Sequence, residues 1–216
     1  MKPLFVTVEG LDGSGKSTQL RYASKWLDDH GFAHCITQEP GGTPLGESIR
    51  SVFLNLKEEW STVDGKVEAL LIFASRRQHL LEVIDRTLAD GRHVLCDRFT
   101  DSTLAYQGYG RGVSLETLHQ VDGLATGNRV PDKTLLFDLP ADMARRRGHS
   151  PRRLNEPGGV DRLDAEDLAF YERVRQGYLE LAAAEPDRFL IVDSSRPLEE
   201  TSALVDAALT KIYGER

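Results

Sequence analysis

Five short runs of apolar residues recur along the chain and predict five β-strands. They lie at 4–9, 33–38, 93–97, 133–138 and 188–193. Their residues are apolar continuously rather than at alternate positions, which indicates strands buried on both faces of a parallel sheet. Because parallel strands need right-handed crossovers, the pattern predicts an open, doubly wound α/β fold with a five-stranded sheet. Ligands are then expected at the carboxyl ends of the strands.

Longer segments with helical spacing separate these strands, as a doubly wound sheet requires. The predicted helices lie at about 15–30, 44–55, 65–90, 99–107, 114–126, 140–148, 164–184 and 197–213. At 216 residues, the whole chain (1–216) is expected to form a single domain with a sizeable core. The sequence shows no internal repeat and no inter-domain linker.

Charge and composition exclude several classes of protein. The 27 Lys and Arg residues against 34 Asp and Glu residues give a net charge of −7, which argues against a nucleic-acid polymer as the main partner. No run reaches the ~18 apolar residues of a membrane span, and a strand begins too early for a signal peptide, so we expect a cytoplasmic protein. Cys35 and Cys96 are expected to be reduced core residues, and the six histidines show no metal-binding spacing.

Residues 10–17 match the phosphate-binding motif G-x-x-x-x-G-K-[ST] between a predicted strand and a predicted helix. The glycines let backbone N–H groups converge on one anion, Lys16 adds a positive charge, and the Ser17 hydroxyl suits Mg²⁺. The alternative, a glycine-rich turn with an incidental lysine, fits this strand–loop–helix context poorly. We predict that a nucleoside triphosphate is bound by Gly10, Leu11, Asp12, Gly13, Ser14, Gly15, Lys16, Ser17 and Thr18. The motif alone does not separate a GTPase, an ATPase motor and a small-molecule kinase.

Asp97 and Arg98 end the third predicted strand. A carboxylate in this position is typical of the metal side of a phosphoryl-transfer site, near the Mg²⁺ that bridges the nucleotide phosphates. Arg98 suits a second phosphate, because a guanidinium binds phosphate oxygens in a bidentate way. A surface ion pair between the two residues is the alternative.

Glu39-Pro40-Gly41-Gly42-Thr43 follows the second predicted strand. Pro40 fixes the backbone, and the glycines permit close approach of a ligand. By itself this segment is more typical of a simple turn. Arg50, on the next predicted helix, is placed to point back at the same anion.

Residues 101–112 carry small hydroxyl side chains, Tyr106, Gln107 and three glycines. Such groups suit the edge of a base and a sugar, although this signal is weak alone. The Pro, Gly and Asn content of 148–163 predicts a mobile loop, with arginines in and beside it at 145–147, 152–153 and 162. They indicate either a solvated helix face or a lid, about 145–163, that closes on a transferring phosphoryl group.

Together these segments resemble the thymidylate kinases, a nucleoside-monophosphate kinase family with a phosphate loop. The resemblance runs in the family's order and spacing from residue 4 to about 165, and its carriers are 8–18, Glu39–Thr43, Asp97–Phe99, Ala105–Gly108 and Asp161-Arg162. It implies transfer of the γ-phosphoryl group of ATP to dTMP with Mg²⁺, giving dTDP and ADP. It also implies an arginine-rich lid of the bacterial type and a homodimer formed through the helix at 65–90.

The resemblance also implies roles for individual residues. Asp12, Lys16, Arg98 and the lid residues Arg146 and Arg153 would be catalytic, and Ser17 and Asp97 would hold the metal. The dTMP-binding set would be Glu39, Pro40, Arg50, Phe73, Arg76, Arg98, Ser102, Thr103, Tyr106 and Gln107.

Within the dTMP-binding set, Arg98 would bind the acceptor phosphate with help from Arg50, and Arg76 would bind the thymine O4 atom. Tyr106 would pack under the deoxyribose, where a 2′-hydroxyl would clash.

The chain departs from the family pattern in three places. The aromatic that stacks on thymine is usual four residues before Arg76, where this chain has Ile72, whereas Phe73 lies three before. Gln38 stands where many relatives carry arginine, so the acceptor phosphate depends more on Arg98 and Arg50. Residues 155–159 lengthen the lid.

Two alternatives remain at this point. Another nucleoside-monophosphate or deoxynucleoside kinase of the same fold would differ in its acceptor. A GTP-dependent switch protein would carry an Asn-Lys-x-Asp guanine motif, but the nearest string, 128–132, has the wrong spacing and a proline, which disfavours this class.

Overall fold

The computed structural model describes residues 2–54, 63–148 and 166–214. In this part of the chain, five strands form one parallel sheet in the order β2-β3-β1-β4-β5. The strands are β1 (Phe5–Gly10), β2 (His34–Gln38), β3 (His93–Asp97), β4 (Lys133–Asp138) and β5 (Phe189–Asp193). The predicted fold class is therefore confirmed, with strand bounds within one residue of those predicted.

β1 lies at the centre of the sheet, with Val8 opposite Asp97 of β3 and Gly10 opposite Phe137 of β4. All of β1 is buried, as its continuous apolar pattern predicts. The same expectation is wrong for the two edge strands, where Ile36 and Ile191 are exposed, because an edge strand has a neighbour on one side only.

The cysteines follow this difference between central and edge strands. Cys96 of the inner strand β3 is fully buried, whereas Cys35 of the edge strand β2 is only half-buried, contrary to the expected core position, and both are free thiols.

Helices cover both faces of the sheet. In the described residues they are α1 (Lys16–Asp29), α2 (Pro44–Leu54), α3 (Gly65–His79), α4 (Asp85–Ala89), α5 (Thr100–Thr103), α6 (Leu115–Thr126), α7 (Ala141–Gly148), α8 (Leu168–Ala184) and α9 (Leu198–Tyr213). The predicted helix at 65–90 is α3 and α4 joined by a π-helical segment, Leu80–Ile84. The helix predicted at 99–107 is α5 running into a second π-helical segment, Leu104–Gly110. None of these helices is long and apolar enough to cross a membrane.

The core is divided by the sheet into two sides. Val6 and Val8 of β1 face a cluster built with α1 and α9, including Trp26 and Leu209. Because side chains alternate along a strand, Glu9 lies on the opposite face, which α5 and α8 cover. A single acidic side chain of the central strand is thus enclosed at the carboxyl end of the sheet, next to the phosphate motif.

Candidate active site

The loop between β1 and α1 keeps a conformation that favours glycine. Gly10 and Gly13 have φ values of 137° and 83°, in the region that side chains disfavour. An added Cβ would lie 2.5 Å from the carbonyl oxygen of Phe137 at Gly10 and 2.3 Å from that of Ala144 at Gly13. Gly15 is the N-cap of α1, so the positive end of the helix dipole opens into the loop. The loop therefore has the backbone shape that an anion requires.

The ammonium group of Lys16 turns back over this loop. Its Nζ donates to the carbonyl oxygens of Gly10 (3.0 Å) and Leu11 (2.8 Å), and it lies 3.9 Å from the Asp12 carboxylate. Burial, and after it the nearby charge of Arg98, lowers the pKa of Lys16 to about 8. Burial disfavours the charged form of Lys16. An anion bound in the loop would therefore stabilise the ammonium group and would be held by its positive charge.

Asp97 and Ser17 line one cavity of about 490 Å³, together with Cys35 and residues of β2. The Oδ1 atom of Asp97 is buried and has no hydrogen-bond partner among the described residues. A buried carboxylate oxygen without a donor is costly, and Mg²⁺ binds carboxylates alongside waters and phosphates. These two side chains therefore fit the expected metal ion.

Arg98 leaves β3 with a φ of 70°, an uncommon value for a residue with a side chain. Its backbone N–H donates to the carbonyl oxygen of Val8 (3.0 Å), and the next N–H, of Phe99, donates to Oε1 of Glu9 (2.7 Å). Both bonds tie the end of β3 to β1. They direct the Arg98 side chain across the phosphate loop rather than along the strand.

The Arg98 guanidinium lies between two sets of side chains. On one side its Nη2 donates to Oδ1 of Asp12 (2.7 Å), and the Tyr106 ring lies under it at 4.9 Å. The Tyr106 hydroxyl donates to the other Asp12 oxygen (3.1 Å). On the other side its Nη1 donates to the hydroxyls of Ser102 (3.0 Å) and Tyr178 (3.3 Å). Arg98 and Asp12 thus contact each other directly at the phosphate loop.

Arg76 is buried and bonded on three sides. Its Nε donates to Oε2 of Glu39 (2.7 Å) and its Nη1 to Oδ1 of Asp122 (3.2 Å). Its Nη2 donates to the Thr103 hydroxyl (2.8 Å). A guanidinium has five N–H groups, and these three bonds use three of them. Three residues of the predicted acceptor set, from the segment after β2 and from α3 and α5, are thereby brought together.

Two aromatic rings hold the same guanidinium. Its central carbon lies 5.0 Å from the centroid of Phe73 and 4.8 Å from that of Phe99, within the range of cation–π attraction. Phe73 is also a member of an apolar cluster with Leu104 and Leu118. The ring therefore supports Arg76 and the core; contact between Phe73 and an acceptor base stays a prediction.

A buried histidine completes this group. Nδ1 of His79 lies 2.9 Å from Oε1 of Glu39, and its Nε2 lies 2.6 Å from the Thr37 hydroxyl. A Cβ on Gly42 would approach the His79 ring to 2.5 Å. The Glu-Pro-Gly-Gly-Thr segment is thus packed against α3, with the Glu39 carboxylate fixed between a histidine and an arginine.

Two other residues of the predicted acceptor set bond to neighbours. Arg50 donates from Nη1 to the carbonyl oxygen of Pro40 (2.9 Å), which follows a cis peptide bond. Gln107 donates from Nε2 to the buried carboxylate of Glu68 (2.9 Å). Both side chains therefore brace the backbone or the core in this structure.

The arginine-rich segment is described only at its beginning. The end of α7 packs on the phosphate loop, since Ala144 and Gly148 surround Gly13. Arg146 is exposed and forms an ion pair with Asp142 (2.7 Å). Arg152, Arg153 and Arg162, with most of the predicted lid at 145–163, lie outside the described residues.

Sequence reasoning missed several polar residues that the fold places beside these groups. They are the buried Glu9, Glu68 and Tyr178 and the partly buried Asp122. Glu9 had a signal, because a lone acidic residue inside an apolar strand needs an explanation. Asp122 and Tyr178 had none, since each occupies an ordinary position in an amphipathic helix.

The parallel sheet, the phosphate loop and the acidic strand end define a phosphate-loop kinase of the nucleoside-monophosphate type. The family model described as thymidylate kinase matches residues 8–205. The chain therefore belongs to the thymidylate kinase family.

Relatives match over nearly the whole chain. The thymidylate kinase of Pseudomonas fluorescens (strain SBW25) is 46% identical, covering 97% of this chain and 96% of that protein. That of Desulfosudis oleivorans is 41% identical, covering 97% of both. The crystal structure of thymidylate kinase from Ehrlichia chaffeensis superposes with a TM-score of 0.74 at 31% identity, covering 97% of this chain and 99% of that one.

Proposed function

We propose that this enzyme transfers the γ-phosphoryl group of ATP to dTMP, giving dTDP and ADP. The observation that carries the proposal is the contact of Arg98 with Asp12 at 2.7 Å. It joins a candidate acceptor-phosphate arginine to the loop that holds the donor phosphates. Membership of the thymidylate kinase family supports dTMP as the acceptor.

On the donor side, the backbone of residues 10–18 binds the ATP phosphates, and Lys16 neutralises their charge. Ser17 and Asp97 would hold Mg²⁺, which supplies charge neutralisation to the phosphate oxygens when bound. Arg146 and Arg153 of the arginine-rich segment are proposed to stabilise the charge of the transferring group.

On the acceptor side, Arg98 binds the dTMP phosphate and Arg50 assists it. The Arg76 guanidinium suits the thymine O4 atom, with Ser102 or Thr103 at the rest of the polar edge. Tyr106 packs under the deoxyribose and excludes a 2′-hydroxyl. The rest of the pocket is formed by Glu39, Pro40, Phe73 and Gln107.

No general base is needed for this reaction. The acceptor is a phosphate oxygen that is already anionic at neutral pH, so no difficult proton transfer limits the step. Catalysis comes from alignment of the two substrates and neutralisation of their charge. Asp12 holds Arg98 and Tyr106 on its two carboxylate oxygens, which fixes the acceptor phosphate relative to the loop.

We further propose one kinase domain that acts as a homodimer. The α3 helix and the π-helical segment after it expose Val67, Leu70 and Leu81, and a second copy would cover this apolar row. Analytical ultracentrifugation tests the assembly: Leu70→Lys should shift a dimer to monomer. An unchanged dimer in that variant would contradict this interface.

The reaction itself is tested by ADP release with ATP, Mg²⁺ and a panel of acceptors. The panel holds dTMP, dUMP, UMP, dCMP, dGMP, AMP and thymidine. We expect strong turnover with dTMP, weak turnover with dUMP and none with UMP. Activity on another monophosphate would overturn the acceptor assignment, and slow GTP hydrolysis without any acceptor would favour a switch protein.

A further inference from the structure

Three buried polar side chains lie together under the guanidinium of Arg98. They come from different elements: Glu9 from β1, Ser102 from α5 and Tyr178 from α8. The Ser102 hydroxyl donates to Oε2 of Glu9 and lies 2.7 Å from the Tyr178 hydroxyl, which donates to the same carboxyl oxygen at 3.2 Å. All three are at most 8% exposed, so these hydrogen bonds are shielded from solvent.

This group contacts Arg98 at both its side chain and its backbone. The two hydroxyls, of Ser102 and Tyr178, accept from Nη1 at 3.0 and 3.3 Å. The second oxygen of Glu9 accepts from the Phe99 N–H at 2.7 Å, which fixes the uncommon left-handed backbone at Arg98. The direction of the guanidinium is therefore set by residues outside the phosphate loop as well as by Asp12 within it.

The charge of the group differs from that of Asp12 on the other side. Burial, with Asp101 nearby, raises the pKa of Glu9 to about 8, so its carboxyl group is mostly neutral at pH 7. When Glu9 is protonated, its own O–H donates to one of the two neighbouring hydroxyls while the other still donates to it. The group then orients Arg98 by hydrogen bonding without forming a second buried ion pair. The positive charge of Arg98 thus stays available for an anionic ligand.

We propose that Glu9 and Tyr178 are positioning residues that hold Arg98 for the acceptor phosphate. The inference rests on the proposed function, since it assigns Arg98 to that phosphate. It predicts an effect confined to the acceptor: loss of either support should change the use of dTMP and leave the use of ATP unchanged. A purely structural role would lower stability without that selectivity.

The test replaces Tyr178 by Phe in the full chain, with Tyr213→Phe as the matched control. The Tyr213 hydroxyl is also buried but has no hydrogen-bond partner among the described residues. We expect Tyr178→Phe to raise the KM for dTMP on the order of fivefold, with an unchanged KM for ATP. Tyr213→Phe should leave both constants unchanged. Equal changes in the two constants, or none, in Tyr178→Phe would overturn the proposal.

Two variants at Glu9 extend the test to the carboxyl group. Glu9→Gln is neutral and keeps a carbonyl oxygen for the Phe99 N–H, so we expect a KM for dTMP within about threefold of the original. Glu9→Ala removes the acceptor of the Phe99 N–H and the acceptor of the two hydroxyls. It should raise the KM for dTMP further than Tyr178→Phe does. If Glu9→Ala does not fold, Tyr178→Phe still decides the matter.

Failure of the proposed function would be visible first and separately. In that case the enzyme without any substitution would release no ADP with dTMP. The same variants would then be compared with whichever monophosphate the enzyme does use, and an unchanged KM for that monophosphate would overturn the positioning role by itself.

Discussion

The proposed donor and acceptor halves of the site are built in different ways. The donor half is one continuous segment, residues 10–18, whose shape depends on backbone conformations that favour glycine. The proposed acceptor half collects side chains from the segments that follow β2 and β3 and from α3, α5 and α6 around two arginines, Arg76 and Arg98. A phosphate chain can be bound largely by aligned backbone N–H groups. The proposed acceptor half instead depends on arginines that are each paired with a specific carboxylate.

The largest expected effect comes from Lys16→Ala, which should impair the donor half and leave the acceptor half intact. Lys16→Ala removes the ammonium of the donor loop, so we expect kcat to fall by about 10³-fold because the transferred charge is no longer neutralised. Binding of dTMP, measured by calorimetry without ATP, should be unchanged. The exposed Lys25 of the same helix provides the control variant Lys25→Ala. Loss of dTMP binding in Lys16→Ala would show that the halves are not separable.

Arg98 is where the two halves meet, and its loss should affect both binding and turnover. Arg98→Ala removes the proposed acceptor-phosphate donor and the ion pair between Arg98 and Asp12, so kcat/KM for dTMP should fall by about 10²-fold. Arg129→Ala, at an exposed pair with Asp85, is the matched control. Near-normal activity of Arg98→Ala in the ADP-release assay would contradict the assignment.

The free energy of unfolding should depend on pH through Glu9, which lies in the buried group under Arg98. Its folded pKa of about 8 lies above the unfolded value of 4.5, so its contribution to stability is present below pH 4.5 and is lost as the pH rises to 8. Glu9→Gln cannot titrate. Its free energy of unfolding relative to the original chain should therefore rise by about 3.5 kcal/mol between pH 5 and 8. The charged and titratable groups that face Glu9 are Asp101, Arg98, Tyr178, Lys16, Arg76 and Cys96.

Urea unfolding at several pH values measures this difference between Glu9→Gln and the original chain. A difference that stays constant with pH would mean that Glu9 titrates normally in the folded enzyme.

The smallest expected effect comes from Asp122→Asn and should change only the acceptor half. Asp122 accepts from Arg76 and also from the Thr100 hydroxyl (2.8 Å). Asp122→Asn weakens the charge that orients Arg76, and we expect the KM for dTMP to rise about tenfold. The KM for ATP should not move. Asp85→Asn, at an exposed carboxylate, serves as the control, and a change in both constants in Asp122→Asn would argue for general loosening.

The same contrast explains what could be predicted from the sequence. The strands and the donor loop could be predicted, because apolar runs and a continuous motif are local signals. Asp122 and Tyr178 could not, because their importance comes only from meeting Arg76 and Arg98 in three dimensions. The π-helical segments at Leu80–Ile84 and Leu104–Gly110 also gave no signal, since an extra residue in one helical turn hardly changes a hydrophobic pattern.

The unequal burial of the two cysteines has a practical consequence. Cys96 is enclosed, and burial raises the pKa of its thiol well above the usual value, so it resists alkylation. Cys35 is half-buried and lines the cavity that contains Ser17 and Asp97. With only two cysteines in the chain, a thiol-directed fluorophore should attach at Cys35 alone. The enzyme thus carries a built-in labelling position beside the proposed metal site, where nucleotide binding can be followed optically without any engineered residue.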